Sequence, residues 1–115
     1  MNAETDIQRK VMAALKALRV PAWRVNATSR SYRMAVNPGM SDIIAILPGG
    51  RFLGLEVKVP GARVSDAQID FGGEVEKAGG VYLVVTSADD FLRWFKTYGR
   101  ASAPDYHLTA GAPRT

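Results

Sequence analysis

Apolar positions along this chain recur with two different periods, and the change of period marks its elements. Ile7, Val11, Leu15 and Leu18, with Met12 and Ala14 beside them, fall at helical spacing and predict a helix from about residue 3 to 19. The Arg19-Val20-Pro21 break ends it. Ala22-Trp23-Arg24-Val25-Asn26 reads as a short strand, and Ala27 to Met40, polar, basic and without period, as an exposed loop. Asp42 to Leu47 and Arg51 to Val59 read as two strands joined by the turn Pro48-Gly49-Gly50. Ser65 opens a second helix that runs to about Ala78 and stops at Gly79-Gly80. Val81 to Thr86 is a continuous apolar run, the mark of a central buried strand. Ser87 or Asp89 then caps a last helix carrying Phe91, Leu92, Trp94 and Phe95. After Tyr98 the chain is rich in Gly, Ala and Pro and has no period, so 99–115 is expected to be a flexible tail on a domain of 1–98. The order helix, strand, strand, strand, helix, strand, helix is that of a small α/β domain with a mixed sheet.

Within the strand from residue 51, Leu53, Leu55, Val57 and Val59 face one way, and Gly54, Glu56 and Lys58 the other. Glu56 and Lys58 therefore share a side of the sheet. Folding the hairpin about Gly49 sets residue 42 opposite 56, to within one position for turn type. Asp42 and Glu56 thus become cross-strand neighbours. Like charges in that position are destabilising unless a cation lies between them.

Composition narrows the identity of such a cation. The 115 residues contain no cysteine and a single histidine, His107 in the tail, which excludes thiolate sites and His-rich zinc sites. Oxygen ligands remain, and they point to Mg2+ or Mn2+. The hydrophobic fraction of 47% and charged fraction of 23% are ordinary for a globular domain. No apolar run approaches the roughly 20 residues that cross a bilayer. The first residues, with Glu4 and Asp6 among them, lack the layout of a signal peptide, and the expected compartment is the cytoplasm. Net charge is +4, and its distribution says more than its total. Between Ile7 and Ser41 no acidic residue occurs, whereas Arg9, Lys10, Lys16, Arg19, Arg24, Arg30 and Arg33 all do. Such a one-sided run suits a polyanion, though a solvated helix face followed by a loop would give the same count. Arg24, Arg30 and Arg33 flank the segment leading into Asp42 and are the expected phosphate contacts.

Two further residues carry alternatives. Glu4 precedes Ile7 by three positions and Val11 by seven, which puts its carboxylate at the head of the apolar stripe. A capping box at Thr5-Asp6-Ile7-Gln8 would instead leave Glu4 outside the helix. Gln68 is three residues after Ser65, so it can close a capping box of its own or contribute to the site. In chemical terms, a divalent ion on Asp42 and Glu56 could polarise a phosphodiester and activate water. The Val57 carbonyl would add a third oxygen, Glu4 a direct or water-borne ligand, and Lys58 a cation for the nucleophile or the phosphorane.

Glu4 with Ile7-Gln8, Gly39-Met40-Ser41-Asp42-Ile43-Ile44, Leu55-Glu56-Val57-Lys58, Ser65-Asp66-Ala67-Gln68 and Gly79-Gly80-Val81-Tyr82 together resemble the VRR-NUC branch of the PD-(D/E)XK nuclease superfamily. The likeness runs from about residue 3 to 97. It implies a restriction-endonuclease-like core, with Asp42, Glu56 and Lys58 as the superfamily signature and Glu4 and Gln68 as further members of the site. Ser41 stands where the superfamily name has proline, a position at which this branch accepts small residues. The resemblance also implies a Mg2+- or Mn2+-dependent DNA endonuclease of phage or prophage type. Some such proteins are homodimers that cut branched DNA, including four-way junctions. The competing expectation is a component of a phage replication, recombination or packaging complex that binds DNA without cutting it, or cuts only with a partner.

Overall fold

A computed structural model of the chain describes residues 3–25 and 39–98. Helix α1 spans Ala3–Ala17, β1 Ala22–Arg24, β2 Ile43–Leu47, β3 Arg51–Val57, α2 Asp66–Lys77 and β4 Val81–Val85. A last helix, α3, covers 88–98. The strands form one sheet in the order β1-β2-β3-β4, the first two pairings antiparallel and the last parallel. This is the expected mixed α/β arrangement, except that β4, read from its apolar run as a central buried strand, is an edge strand among the described residues and is mostly half-buried. Ends fall one to two residues inside the predicted ones, as hydrogen bonding frays at termini.

The end of α1 has an additional cause. Arg19 sits at φ 60°, a left-handed conformation. Its amide donates to the Lys16 carbonyl and that of Val20 to the Leu15 carbonyl, each at 3.0 Å. These are the paired bonds of a Schellman turn, with an arginine in the place usually held by glycine. Helix α2 ends by the same device: Gly79 is at φ 97°, and the Gly79 and Gly80 amides donate to Glu76 and Val75.

The sheet separates two layers of helix. Register pairs Ile43 with Leu55, Ala45 with Leu53 and Leu47 with Arg51, then Leu53, Leu55 and Val57 with Val81, Leu83 and Val85. By the two-residue period of a strand these side chains share one face. All but the exposed Arg51 build or line the core, with Val11 and Leu15 of α1 and Phe91 of α3. On that side Phe91, Trp94, Phe95 and Tyr98 also make a chain of ring contacts. The opposite face carries Gly54, Glu56 and Tyr82, and α2 crosses it. There the rings of Phe71 and Tyr82 meet edge to face, with centroids 6.3 Å apart. A strand buried on both faces should read as nearly continuous apolar sequence. β3 does so from Phe52 onward except at Glu56, and that exception marks the candidate site.

Candidate active site

Asp42 lies immediately before β2, and Glu56 is next to last in β3. The observed register, extended by one pair beyond Ile43–Leu55, sets them opposite each other, as the hairpin count predicts. Asp42 is held at both ends. Its backbone carbonyl accepts the Val25 amide at 2.7 Å, and its Oδ2 accepts the Val57 amide at 2.9 Å. Glu56 is only 2% exposed. A carboxylate so buried is rare without compensation.

Part of that compensation comes from Gln68. Its Nε2 donates to Glu56 Oε2 at 2.7 Å, while its Oε1 accepts the Ser65 amide at 2.8 Å and its own amide donates to Ser65 Oγ at 3.1 Å. The two readings of Gln68 are therefore both realised: one side chain closes the capping box of α2 and grips the buried carboxylate. With its carbonyl oxygen fixed at the helix start, the amide can present only its NH2 to Glu56.

Burial is the main cause pushing the Glu56 carboxyl up to about 8. The charge of Asp42 and a hydrogen bond with it add to the rise, Glu4 contributes, and Lys58 opposes. With no cation present, burial beside Asp42 thus favours the protonated form of Glu56 near neutral pH. Its Oε1 receives no hydrogen bond among the described residues.

Lys58 is half-buried, and its backbone amide donates to the Val85 carbonyl at 3.0 Å. Glu4 lies in the first turn of α1, inside the helix, so Thr5 does not cap it away. Arg24 is exposed at the end of β1 and donates to Gln8 Oε1 at 2.9 Å. Arg30 and Arg33 lie outside the described residues, as do His107, the tail from 99 and all of the expected loop except Gly39 and Met40.

Two residues to which the sequence pattern gave no role border the carboxylates. Ser41 is fully buried, and its Oγ has no hydrogen-bond partner among the described residues; the hydroxyl of Tyr82 is likewise buried without one there. Burial and the charges of Glu56 and Asp42 push the Tyr82 phenol up to about 12. A legible signal existed at Tyr82: among Val81, Leu83, Val84 and Val85, a single phenol interrupts an aliphatic strand.

The donor set suits a hard divalent cation. Two carboxylates press together, one holds a proton it would release to a cation, and one buried oxygen lacks a donor. Among the described residues no three Asp, Glu, His or Cys side chains converge as a ready-made metal cage. Mg2+ is commonly held by one or two carboxylates with water completing the shell, so a pair suffices.

No protein-family model matches the chain, and no curated protein matches it. Solved structures share its fold at low sequence identity. One, a "VRR_NUC domain", superposes with a TM-score of 0.70 at 20% identity, over 85% of this chain and 99% of that one. A second, a "VRR_NUC domain protein", gives 0.68 at 19% identity, over 87% and 90%. The chain has the α/β fold of VRR_NUC domains.

Proposed function

We propose, from the fold shared with VRR_NUC domains and the carboxylate pair set into its sheet, that this chain is a Mg2+- or Mn2+-dependent DNA endonuclease acting on branched or otherwise structured DNA as a homodimer. The observation that carries the proposal is the buried Glu56, opposite Asp42 and gripped by Gln68. A structural role does not account for a glutamate buried in the interior of β3, since leucine there would be cheaper to bury.

In this reading Asp42, Glu56 and the Val57 carbonyl hold the ion, with Glu4 reaching it directly or through water. A bound divalent ion supplies Lewis-acid polarisation of the phosphoryl group and a water of lowered pKa. The protein's own contribution is positional. Gln68 prevents Glu56 from rotating, and the Val57 amide fixes Asp42. Lys58 shares the face of Glu56, where its ammonium orients the attacking water or meets charge growing on the phosphorane. Arg24, followed in the chain by Arg30 and Arg33, binds phosphates on either side of the scissile bond without reading bases. Two such sites related by a two-fold axis would suit a roughly two-fold junction.

The direct test is nicking of supercoiled plasmid with Mn2+, with EDTA as control, extended to duplex, splayed, flap and four-way DNA. Asp42→Ala and Glu56→Ala should each abolish cleavage. Lys58→Ala should be inactive yet still bind Mn2+ in calorimetry. Near-wild-type turnover in either carboxylate variant would sink the site assignment. Pure protein that cuts none of these DNAs would favour a binding or partner-dependent component instead.

A further inference from the structure

Three buried polar side-chain atoms have no partner among the described residues, and all three belong to one neighbourhood: Ser41 Oγ, Glu56 Oε1 and the Tyr82 hydroxyl. Gly54 is the common point. Tyr82 is its cross-strand partner in β4, Glu56 lies two residues further on the same face of β3, and a Cβ built on Gly54 would come within 2.7 Å of Ser41 Oγ. A side chain at position 54 would therefore fill the space beside the serine hydroxyl. Gly72 makes the corresponding room on the helix side. A Cβ there would lie 2.5 Å from Cδ2 of the Tyr82 ring, so glycine at this position of α2 makes room for the ring. Glycine is unfavourable inside a helix and inside a strand, so both positions favour the room they make over local propensity.

Buried hydroxyls left without any partner are costly, and a small polar cavity offering two to four hydrogen bonds is where proteins hold ordered water. We propose that Tyr82 and Ser41 are positioning residues for the inner carboxylate: through a buried water they hold Oε1 of Glu56, as Gln68 holds Oε2, so that the carboxylate is fixed for an ion it shares with Asp42. Neither hydroxyl touches substrate; each acts through Glu56. The inference rests on the metal-site reading above and extends it to residues beneath the carboxylates.

Tyr82→Phe keeps the ring over Gly72 and against Phe71 and removes only the hydroxyl; Ser41→Ala is the matching change on the other side. Both should fold, judged by circular dichroism and thermal melting of the metal-free protein. Calorimetry with Mn2+ should show each binding roughly 10–100-fold more weakly than wild type, the usual cost of removing a group that orients a ligand. Plasmid nicking at limiting Mn2+ should fall with it and recover when Mn2+ is raised, a rescue that damage to packing would not give. Glu56→Gln is the control and should lose binding beyond rescue. Wild-type Mn2+ affinity in either hydroxyl variant, with Glu56→Gln defective, overturns the inference and leaves the metal site standing. A loss of nicking that added metal does not restore also overturns it. Wild-type Mn2+ affinity in Glu56→Gln overturns the metal-site reading, and the inference with it.

Discussion

Burial of Glu56 ties the stability of the fold to pH. Its folded-state pKa of about 8 lies above the unfolded value of 4.5, so the metal-free native state binds the proton more tightly than the unfolded chain. The stability this contributes is complete below about pH 4.5 and is lost as pH rises through about 8. Thermal melts in EDTA should therefore show a midpoint falling between pH 5 and 9. Glu56→Gln, which is neutral throughout, should flatten that slope. Mn2+ should reverse the trend in wild type, because the ion takes the place of the proton and its binding strengthens as the proton leaves. A wild-type midpoint independent of pH over this range would mean that the two carboxylates do not interact as their geometry requires.

At the scale of elements, termini decide more than interiors. Ser65 caps α2 and at the same time anchors Gln68, so Ser65→Ala should cost about 1 kcal/mol in denaturant unfolding, the usual value of a lost cap. It should also weaken Mn2+ binding, because the freed Gln68 no longer holds Glu56 in one orientation. A pure stability effect with unchanged metal affinity would separate the cap from the site. The two Schellman turns provide an internal comparison. Gly79 occupies its left-handed position freely, whereas Arg19 at φ 60° carries a steric penalty. Arg19→Gly should raise stability by roughly 0.5–1 kcal/mol in the same assay, the relief exceeding the added freedom of the unfolded chain. Gly72→Ala runs the opposite way. Helix propensity favours it, yet the Tyr82 ring lies where the methyl would go, so it should destabilise.

At the scale of the molecule, the site exists because three separate parts of the chain meet at one end of the sheet. Gly39 shows how tightly they are fitted. It is at φ 86°, and a Cβ there would lie 2.2 Å from the Ala67 carbonyl oxygen, so the segment entering Asp42 packs directly on the first turn of α2. Gly39→Ala should separate Asp42 from Gln68, lowering both melting midpoint and Mn2+ affinity. Long-range charge belongs to this scale as well. If the basic run binds phosphate, Arg24→Ala should weaken DNA binding alike across unrelated sequences and reduce the slope of log affinity on log salt by about one. An unchanged slope would mean that Arg24, already bonded to Gln8, serves the fold alone.

Sequence by itself determined the elements, because period two and period 3.6 are local and the stops at Arg19-Val20 and Gly79-Gly80 are chemical. It also determined that Asp42 faces Glu56, since a short hairpin leaves almost no freedom of register. Gln68 remained ambiguous from the residues alone, because a capping box and a ligand clamp use the same side chain. Which one it forms depends on where α2 lies against β3, and the answer was both. Only the tertiary structure decided that Glu56 is buried rather than on a solvated face, since burial there requires α2 to cross the sheet. Only it could single out Ser41 and Tyr82. A hydroxyl in a strand is unremarked in sequence, and it becomes informative when packing removes water from it and no protein partner takes its place.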